Sequence, residues 1–390
     1  MEYTKIAIAG AGLAGLTAAA RLGTDGHDVV LIDPAPADDA PADQRTTAFL
    51  MPSVRTLEKA GAWDALRSIG APMRLMRIVD AGGRDPVVRE TADFTPDSAD
   101  EDVFGWNIPN AAAMTALRAR LSGLENVHHI QGQSVEGLVT RTDHAILRLS
   151  DGRQIAAKLV LAADGRDSTL RDLAGLPVRS WSYGQSALVF AVTHDRPHDG
   201  VSTEIHRTGG PLTLVPMPDL DGRPCSSVVW MTPTAEARDL NSMDDSRLET
   251  ELTARTLGLY GPLRLASKRA LWPIRSQIAP RLVADRLALI AEAAHVMPPI
   301  GAQGLNTSLH DVETIAGLIA GVADPGAARL LQTYGRTIAP RTKARVAGVD
   351  LLNRAAQAEA QRLRDLRYAG LRAINRIPAL RQFAIRAGIG

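Results

Sequence analysis

Three glycines stand in the run Gly10-Ala-Gly12-Leu-Ala-Gly15, and an acid, Asp33, follows at the end of the next apolar run. Glycines at this spacing let a chain turn sharply, approach a ligand with its backbone and pack a helix close to a strand. The N–H groups that open such a helix face outward with the positive end of the helix dipole behind them. That arrangement suits a pyrophosphate. A second stretch, Arg286 to Asn306, has related parts. Its apolar run Leu287 to Ala291 leads into a turn stiffened by Pro298 and Pro299 and freed by Gly301 and Gly304. Asn306-Thr307-Ser308 then opens a helical stretch through Ile319. Such a turn suits an anion or a planar, electron-rich ligand edge, and it is also the form of an ordinary tight connection.

The elements that position these residues follow from the pattern. Lys5 to Ala9 reads as a buried strand, Leu13 to Leu22 as a helix, and Val29 to Ile32 as a second strand closed by Asp33. This is the dinucleotide-binding βαβ pattern, in which Gly10 permits the turn, Gly12 the approach of a pyrophosphate and Gly15 the helix–strand packing. Asp33 can accept hydrogen bonds from both hydroxyls of an adenosine ribose. An acid there favours a free 2′-hydroxyl, as in FAD or NAD.

Further along, Gln44-Arg45-Thr46-Thr47 is a polar loop whose arginine can clamp a pyrophosphate or simply face solvent. A helix follows from Ser53 to about Ala60. Arg74 to Val88 has a hairpin's alternation around Gly82-Gly83, and Asn110 is placed to cap a helix over 111–121. Ala145 to Leu149 and Gln154 to Ala157 flank a turn at Asp151-Gly152. A separate buried strand from Leu159 ends at Asp164-Gly165. Asp164 is either a ligand group at a strand's carboxyl end or a helix cap. Short strands without helices fill 186–232, a mainly antiparallel sheet able to wall a pocket. Residues 240–257 read as helical, and a strand returns at Leu271.

The bulk numbers exclude several classes. The chain has 390 residues and a net charge of +1, with 4% aromatics, so neither a basic field nor base stacking recruits nucleic acid. The single Cys225 excludes an internal disulfide and a cysteine-based metal site, and no metal is expected. A reducing, cytoplasmic setting is the simple inference. No apolar run reaches about 18 residues, and residues 6–20 read as fold rather than as a signal peptide. From Leu351 to Gly390 there are eight arginines and two acids among spaced apolar residues. Such a basic helix can lie on an anionic membrane, pack on the domain or form an oligomer contact.

Three marks in order, GAGLAG with Asp33, ADGRDSTLR from Ala163 and AEAAHVMPPIGAQGLN from Ala291, resemble the single-component FAD-dependent aromatic monooxygenases of the p-hydroxybenzoate hydroxylase type. The resemblance covers nearly the whole chain. Residues 44–63 and 183–200, with the Gly/Leu/Arg-rich C-terminus, look like the ubiquinone-biosynthesis hydroxylases of that group. It implies an α/β fold: a Rossmann-like FAD-binding domain (1–73, 101–180 and 276–325) interrupted by a mainly antiparallel substrate domain (74–100 and 181–275), with a helical region over 326–390.

The resemblance also implies a cofactor site. Gly10, Gly12, Leu13, Ala14 and Gly15 would take the FAD pyrophosphate and Asp33 its ribose. Arg45 and Asn110 match contacts to the pyrophosphate–ribityl arm, and Asp164 lies in a motif serving FAD and the nicotinamide nucleotide. Gly301, Gln303, Gly304, Leu305 and Asn306 would hold the pyrimidine edge of the flavin, with Pro298 and Pro299 shaping its face. NAD(P)H would act as transient electron donor, and the reduced flavin would carry O2 as a C4a-hydroperoxide to the aromatic substrate. The cofactor does the oxygen chemistry, so the protein needs no conspicuous dyad. His194, His206 and His295 are candidates for a base by residue type alone, and no general base is assigned.

One departure stands out: Ala291-Glu292 occupies the place of the family's usual Gly-Asp. Glu292 reaches one methylene farther toward the ribityl chain, and Ala291 adds a Cβ where the backbone approach is close. The leading expectation is hydroxylation of a prenylated phenol on the way to ubiquinone, with the basic C-terminal helices as a peripheral inner-membrane or complex contact. The alternatives are a hydroxylase of a soluble phenol, a reductase or halogenase on the same fold, and a flavin-poor protein that binds quinone precursors or scaffolds their enzymes. No lysine-centred halogenase motif is evident. Ring position, tail length, the choice of NADH or NADPH and the oligomeric state are not written in the sequence.

Overall fold

The computed structural model describes residues 1–36, 43, 45–81, 87–96, 102–207, 209–357, 361–377 and 382. Gln44, the Gly82-Gly83 turn and most of the chain after 377 lie outside the described residues. Two large sheets dominate the fold.

The first sheet is built on β1 (Glu2–Ala9), which leads through helix α1 (Leu13–Thr24) to β2 (Val29–Asp33). On the other side of β1 lies β3 (Gln154–Ala162), and beyond it β4 (Leu287–Leu289). All four run parallel. Both faces of a parallel sheet are covered, so these strands are apolar at nearly every position: Ile6, Ile8, Leu31, Leu159 and Leu161 are fully buried or nearly so. The chain goes from β1 to β2 on one side and returns to β3 on the other. That reversal opens a crevice at the carboxyl ends of β1 and β3, where doubly wound sheets bind ligands.

The second sheet has nine strands, with Ala270–Ile278, Arg179–His194, Arg223–Pro233 and Gly210–Leu220 side by side. Its neighbours in that run are antiparallel, while Val201–Arg207 pairs in parallel with Leu75–Asp80. Two long helices turn apolar stripes inward: α2 (Gln303–Ile319) and α3 (Ala328–Gln357). A further helix, Gln361–Arg376, follows.

Several expectations needed correction. The strands read at 154–157 and from 159 are one strand, β3. Lys158, whose exposure interrupts the apolar run, is simply an outward position within it. The region 240–257 is two helices, Thr234–Ser242 and Asp245–Arg255. The hairpin from Arg74 pairs Leu75–Asp80 with Glu90–Phe94, so its return strand starts after Val88. The helix expected from Ser53 starts at Met51, where Pro52 supplies the fixed φ of a first turn.

Candidate functional site

The first turn shows three glycines in three different roles. Gly10 has φ +100°, and a Cβ there would lie 2.3 Å from the Ala163 carbonyl oxygen. A Cβ on Gly15 would lie 1.8 Å from the Gly10 carbonyl oxygen, so the helix can sit this close only without a side chain. A Cβ on Gly12 would meet no atom of the described residues within 4 Å, because that Cα opens away from the protein. Gly12 also begins α1, which has no side-chain cap and no acid in its first turn. The N–H groups of Leu13, Ala14 and Gly15 therefore end the helix as an anion-seeking surface. Asp33, at the end of β2, accepts from the Ala11 N–H at 2.5 Å and from the Ala35 N–H at 2.9 Å. The acid thus braces the turn from which it is separated by a whole βαβ unit.

The end of β3 packs on the same turn through the backbone of Ala163 and Asp164. Asp164 accepts from the Ser168 hydroxyl at 2.5 Å and the Leu170 N–H at 3.0 Å. The cap of the helix Thr169–Leu173 is Ser168, whose hydroxyl accepts from the Arg171 N–H at 3.0 Å, and Asp164 supports that cap from behind. Burial raises its carboxyl above the ordinary value, against the hydrogen bonds that favour the anion. Arg171, buried behind it, donates to the carbonyls of Arg166 at 3.0 Å and Ala293 at 3.2 Å. Arg166 donates to Glu292 at 3.1 Å. The 163–171 segment therefore ties the first turn to the second.

Arg45 is held in a fork by Asp43, at 2.8 and 2.7 Å, and its guanidinium lies 4.3 Å from the Trp272 ring centre. Asn110 donates to Asp43 at 3.0 Å and accepts from the Thr47 hydroxyl at 2.7 Å. It is the first residue of its helix rather than a side-chain cap, since the helix Asn110–Ser122 begins after Pro109 with no cap bond. Burial works to raise the Asp43 carboxyl, but the hydrogen bonds from Arg45 and Asn110 outweigh it and leave it below its ordinary value. Burial works to lower Arg45, and the contact with Asp43 together with the field of Glu292 raises it overall. Arg45 and Asn110 thus form one ordered cluster, on the side of the crevice that Glu292 faces.

The second turn departs most from expectation. Its strand stops at Leu289, and Ala291 takes φ +55°, a left-handed conformation that glycine adopts without cost. A short helix, Ala291–Ala294, gives way to the strand His295–Val296, which belongs to the second sheet through Gln277 and Ile278. One turn therefore joins both sheets. Its brace is Asp311 on α2, which accepts from His295 Nε2 at 2.8 Å and from the Ala291 N–H at 3.4 Å, fully shut off from solvent.

Pro298 is buried and Pro299 exposed. Gly301 at φ +61° and Ala302 at φ +56° then swing the chain into α2, which starts at Gln303, three residues before the expected Asn306. The Asn306 amide is engaged elsewhere. It donates to the Ala48 carbonyl at 2.8 Å and accepts from the Leu50 N–H at 2.9 Å, clamping the turn to the strand Thr46–Leu50. Gln303 donates to the Gly301 carbonyl at 2.7 Å and accepts from Arg345. A Cβ on Gly304 would meet nothing among the described residues within 4 Å, and Leu305 packs on the main core. The start of α2, like that of α1, has no side-chain cap and no acid in its first turn.

The histidines separate cleanly. His194 is buried, its Nδ1–H donating to the Arg196 carbonyl at 2.7 Å and its Nε2 accepting from the Ser226 hydroxyl at 2.9 Å. Burial lowers its pKa, so it is a neutral core residue. It lies on the order of 40–50 Å along its strand from Arg179, whose neighbour Ile278 pairs with His295. His206 pairs with Glu204 at 2.7 Å on the Val201–Arg207 strand. His295 alone belongs to the second turn, and its role there is the bond to Asp311.

These parts fit an FAD. Two uncapped helix starts, an open Cα at Gly12 and a carboxylate at the second strand's end match its pyrophosphate, ring edge and ribose. Sequence reasoning gave no role in the site to Asp43, Arg166, Trp272 or Asp311. Arg166 was visible inside ADGRDSTLR, and Asp43 stands two residues before Arg45. Nothing in the sequence joined Trp272 or Asp311 to the turn.

Comparison with known proteins agrees that the chain is one that binds FAD. The family described as "FAD binding domain" matches residues 3–349. The ubiquinone hydroxylase UbiL of Rhodospirillum rubrum is 31% identical over all of this chain and 90% of its own length. The 3-demethoxyubiquinol 3-hydroxylase of Escherichia coli is 28% identical over all of this chain and 99% of its own. The crystal structure of p-nitrophenol 4-monooxygenase PnpA from Pseudomonas putida superposes with a TM-score of 0.80 at 18% identity, covering all of this chain and 99% of that one, and so shares the fold. The match over 3–349 and the full-length identity to UbiL together place the chain in the FAD-binding family of flavoprotein monooxygenases.

Proposed function

We propose that the chain hydroxylates the aromatic ring of a prenylated phenol in ubiquinone biosynthesis, with NAD(P)H as electron donor. The observation that carries this reading is the full-length similarity to two ubiquinone-pathway hydroxylases, 31% and 28% identical. Bound FAD supplies the oxygen activation; the protein supplies orientation and a dry site.

In this reading the N–H groups of Leu13, Ala14 and Gly15 hold the pyrophosphate and Asp33 the ribose. Arg45, Asn110 and Glu292 attend the arm between pyrophosphate and ring, and Asp164 shapes the crevice. The 301–306 backbone takes the ring edge, with Pro298 and Pro299 beside it. Residues 1–73, 101–180 and 276–325 form the cofactor part, and 74–100 with 181–275 wall the substrate.

An apolar cluster supports the placement of that wall. Ala187, Val189, Met231 and Ile274 on the second sheet meet Met297 and Ile300 of the second turn. A ring held there would be shielded from water, which protects the oxygen chemistry. A peripheral contact through the C-terminal helices accords with exposed Leu351, Leu352 and Ile377 among arginines. No helix among the described residues is long and apolar enough to cross a membrane.

The test is turnover. FAD-loaded protein is given NADH or NADPH, O2 and a set of prenylated methoxyphenols, and products are read by mass. One added oxygen, with substrate-stimulated NAD(P)H oxidation, is the expected result. Turnover of short soluble phenols but no prenylated one would overturn the substrate assignment.

A further inference from the structure

Helix α3 carries one buried stripe, and an amide interrupts it. After Val346 and Val349 the next inward position is Asn353, followed by Ala356. Asn353 is 0% exposed, and neither its Nδ2 nor its Oδ1 has a hydrogen-bond partner among the described residues. A buried amide without partners is costly to a fold and is rare in native proteins. Thr342, earlier on the stripe, also lacks a partner among them, but its hydroxyl needs only to rotate toward the carbonyl four residues back. The longer amide of Asn353, with two donors and an acceptor, has no such simple outlet.

Its neighbours locate it. One turn before, Val349 joins the apolar cluster that includes Ala187 and Met231 of the second sheet and Met297 and Ile300 of the second turn. One turn after, Gln357 donates to Gln185 at 2.7 Å. Asp350, just before it, accepts from Trp181 Nε1 at 2.8 Å and from the Tyr183 hydroxyl at 2.6 Å, so Asn353 is bracketed near the strand Arg179–His194 between Tyr183 and Gln185, two residues short of Ala187. In that strand's register Ala187 stands opposite Met231 on one side and Trp272 on the other. The Trp272 indole N–H is buried and also without a partner among the described residues, and its ring is the one that Arg45 covers. Two unsatisfied polar groups therefore border the same apolar cluster that the second turn closes.

We propose that Asn353 is a specificity-determining residue whose amide recognises a ring hydroxyl of the aromatic substrate. The proposal rests on the aromatic-hydroxylase reading above. A phenolic hydroxyl both donates and accepts, which is what a primary amide can answer. Trp272, a donor only, suits a second ring oxygen such as an alkoxy group. The apolar walls suit the ring and the start of an alkyl tail. A site built to bond a hydroxyl discriminates strongly against the analogue lacking it.

The test pairs 2-octylphenol with octylbenzene, both titrated into the FAD-loaded protein and read by perturbation of the flavin absorption bands. The wild type is expected to prefer the phenol by about tenfold or more. Asn353→Leu, apolar and of similar size, is expected to melt at the same or a higher temperature and to bind the two compounds within about twofold of each other. Asn353→Ala gives a second variant should leucine crowd the helix, with the same loss of preference expected. A merely structural amide would leave the phenol-to-benzene ratio where it was, and an unchanged ratio in a folded, FAD-loaded variant overturns the proposal. Should the FAD-loaded wild type bind neither compound, the aromatic-hydroxylase reading fails and the role of Asn353 falls with it.

Discussion

The two turns that meet at the crevice solve one problem in different ways. Each leads from a parallel strand to an uncapped helix start. The first turn does so with glycines, at Gly10 where φ is +100° and at Gly15 where no Cβ fits. The second puts alanines at φ +55° and +56°, at Ala291 and Ala302. An L-residue in that region costs about 1–2 kcal/mol, and such conformations persist only where the surroundings hold them. Here the surroundings are visible: Asp311 and His295 pin Ala291, Asn306 grips the strand Thr46–Leu50, and Gln303 is bonded to Arg345. Each turn has a carboxylate brace, Asp33 at the first and Asp311 at the second, but the first takes its shape from glycine's backbone freedom and the second holds L-residues in place by buried polar bonds. A substitution should therefore break them by different routes.

The largest effect is expected at the first turn. Gly15→Ala drives a Cβ into the Gly10 carbonyl, which belongs to backbone and cannot rotate aside. A loss of roughly 4 kcal/mol or more is expected, read as a collapsed melting transition or as insoluble protein. A variant that melts like the wild type would refute the close-packing role. A smaller loss is expected at the brace of the second turn. Asp311→Asn removes a charged acceptor shared by His295 and the Ala291 N–H. About 2 kcal/mol of stability should go, measured by denaturant unfolding. No loss would mean that the brace is incidental. The smallest effect has the opposite sign. Ala291→Gly relieves the left-handed strain and should add about 1 kcal/mol, where a glycine in the first turn has no such gain to offer. A destabilised Ala291→Gly would show that the strain argument is wrong.

The same contrast explains what the sequence made legible. Glycine roles in GAGLAG can be read because each rests on the residue's own lack of a Cβ. The second turn was read only in outline. Its helix was expected from Asn306, a residue type that starts helices, but that amide is spent on Ala48 and Leu50, and α2 begins at Gln303 through two left-handed residues. Asn110 misled in the same way, since its side chain serves Thr47 and Asp43 instead of a helix start. The apolar pattern located the central strands of both sheets because burial alone dictates it, although one exposed lysine split β3 in two and the half-exposed strands Val127–Gln131 and Val135–Thr140 went unread. The bonds between Arg166 and Glu292, and between His295 and Asp311, join residues from separate elements, and no local pattern announces them. The departure at Ala291-Glu292 was seen as a substitution, while its consequence, a strained residue with a brace, required the fold.

The most direct test of the account is an FAD titration of the wild type beside Gly12→Ala, followed by visible absorption, with melting temperature as control. A Cβ at residue 12 meets no atom of the described residues, so the variant should fold and melt like the wild type. It would stand in the space that the pyrophosphate needs, so the wild type should take up FAD near stoichiometrically and the variant bind it at least about tenfold more weakly. A folded wild type that never takes up FAD, or a variant that binds it equally well, would contradict the placement of the cofactor at this turn.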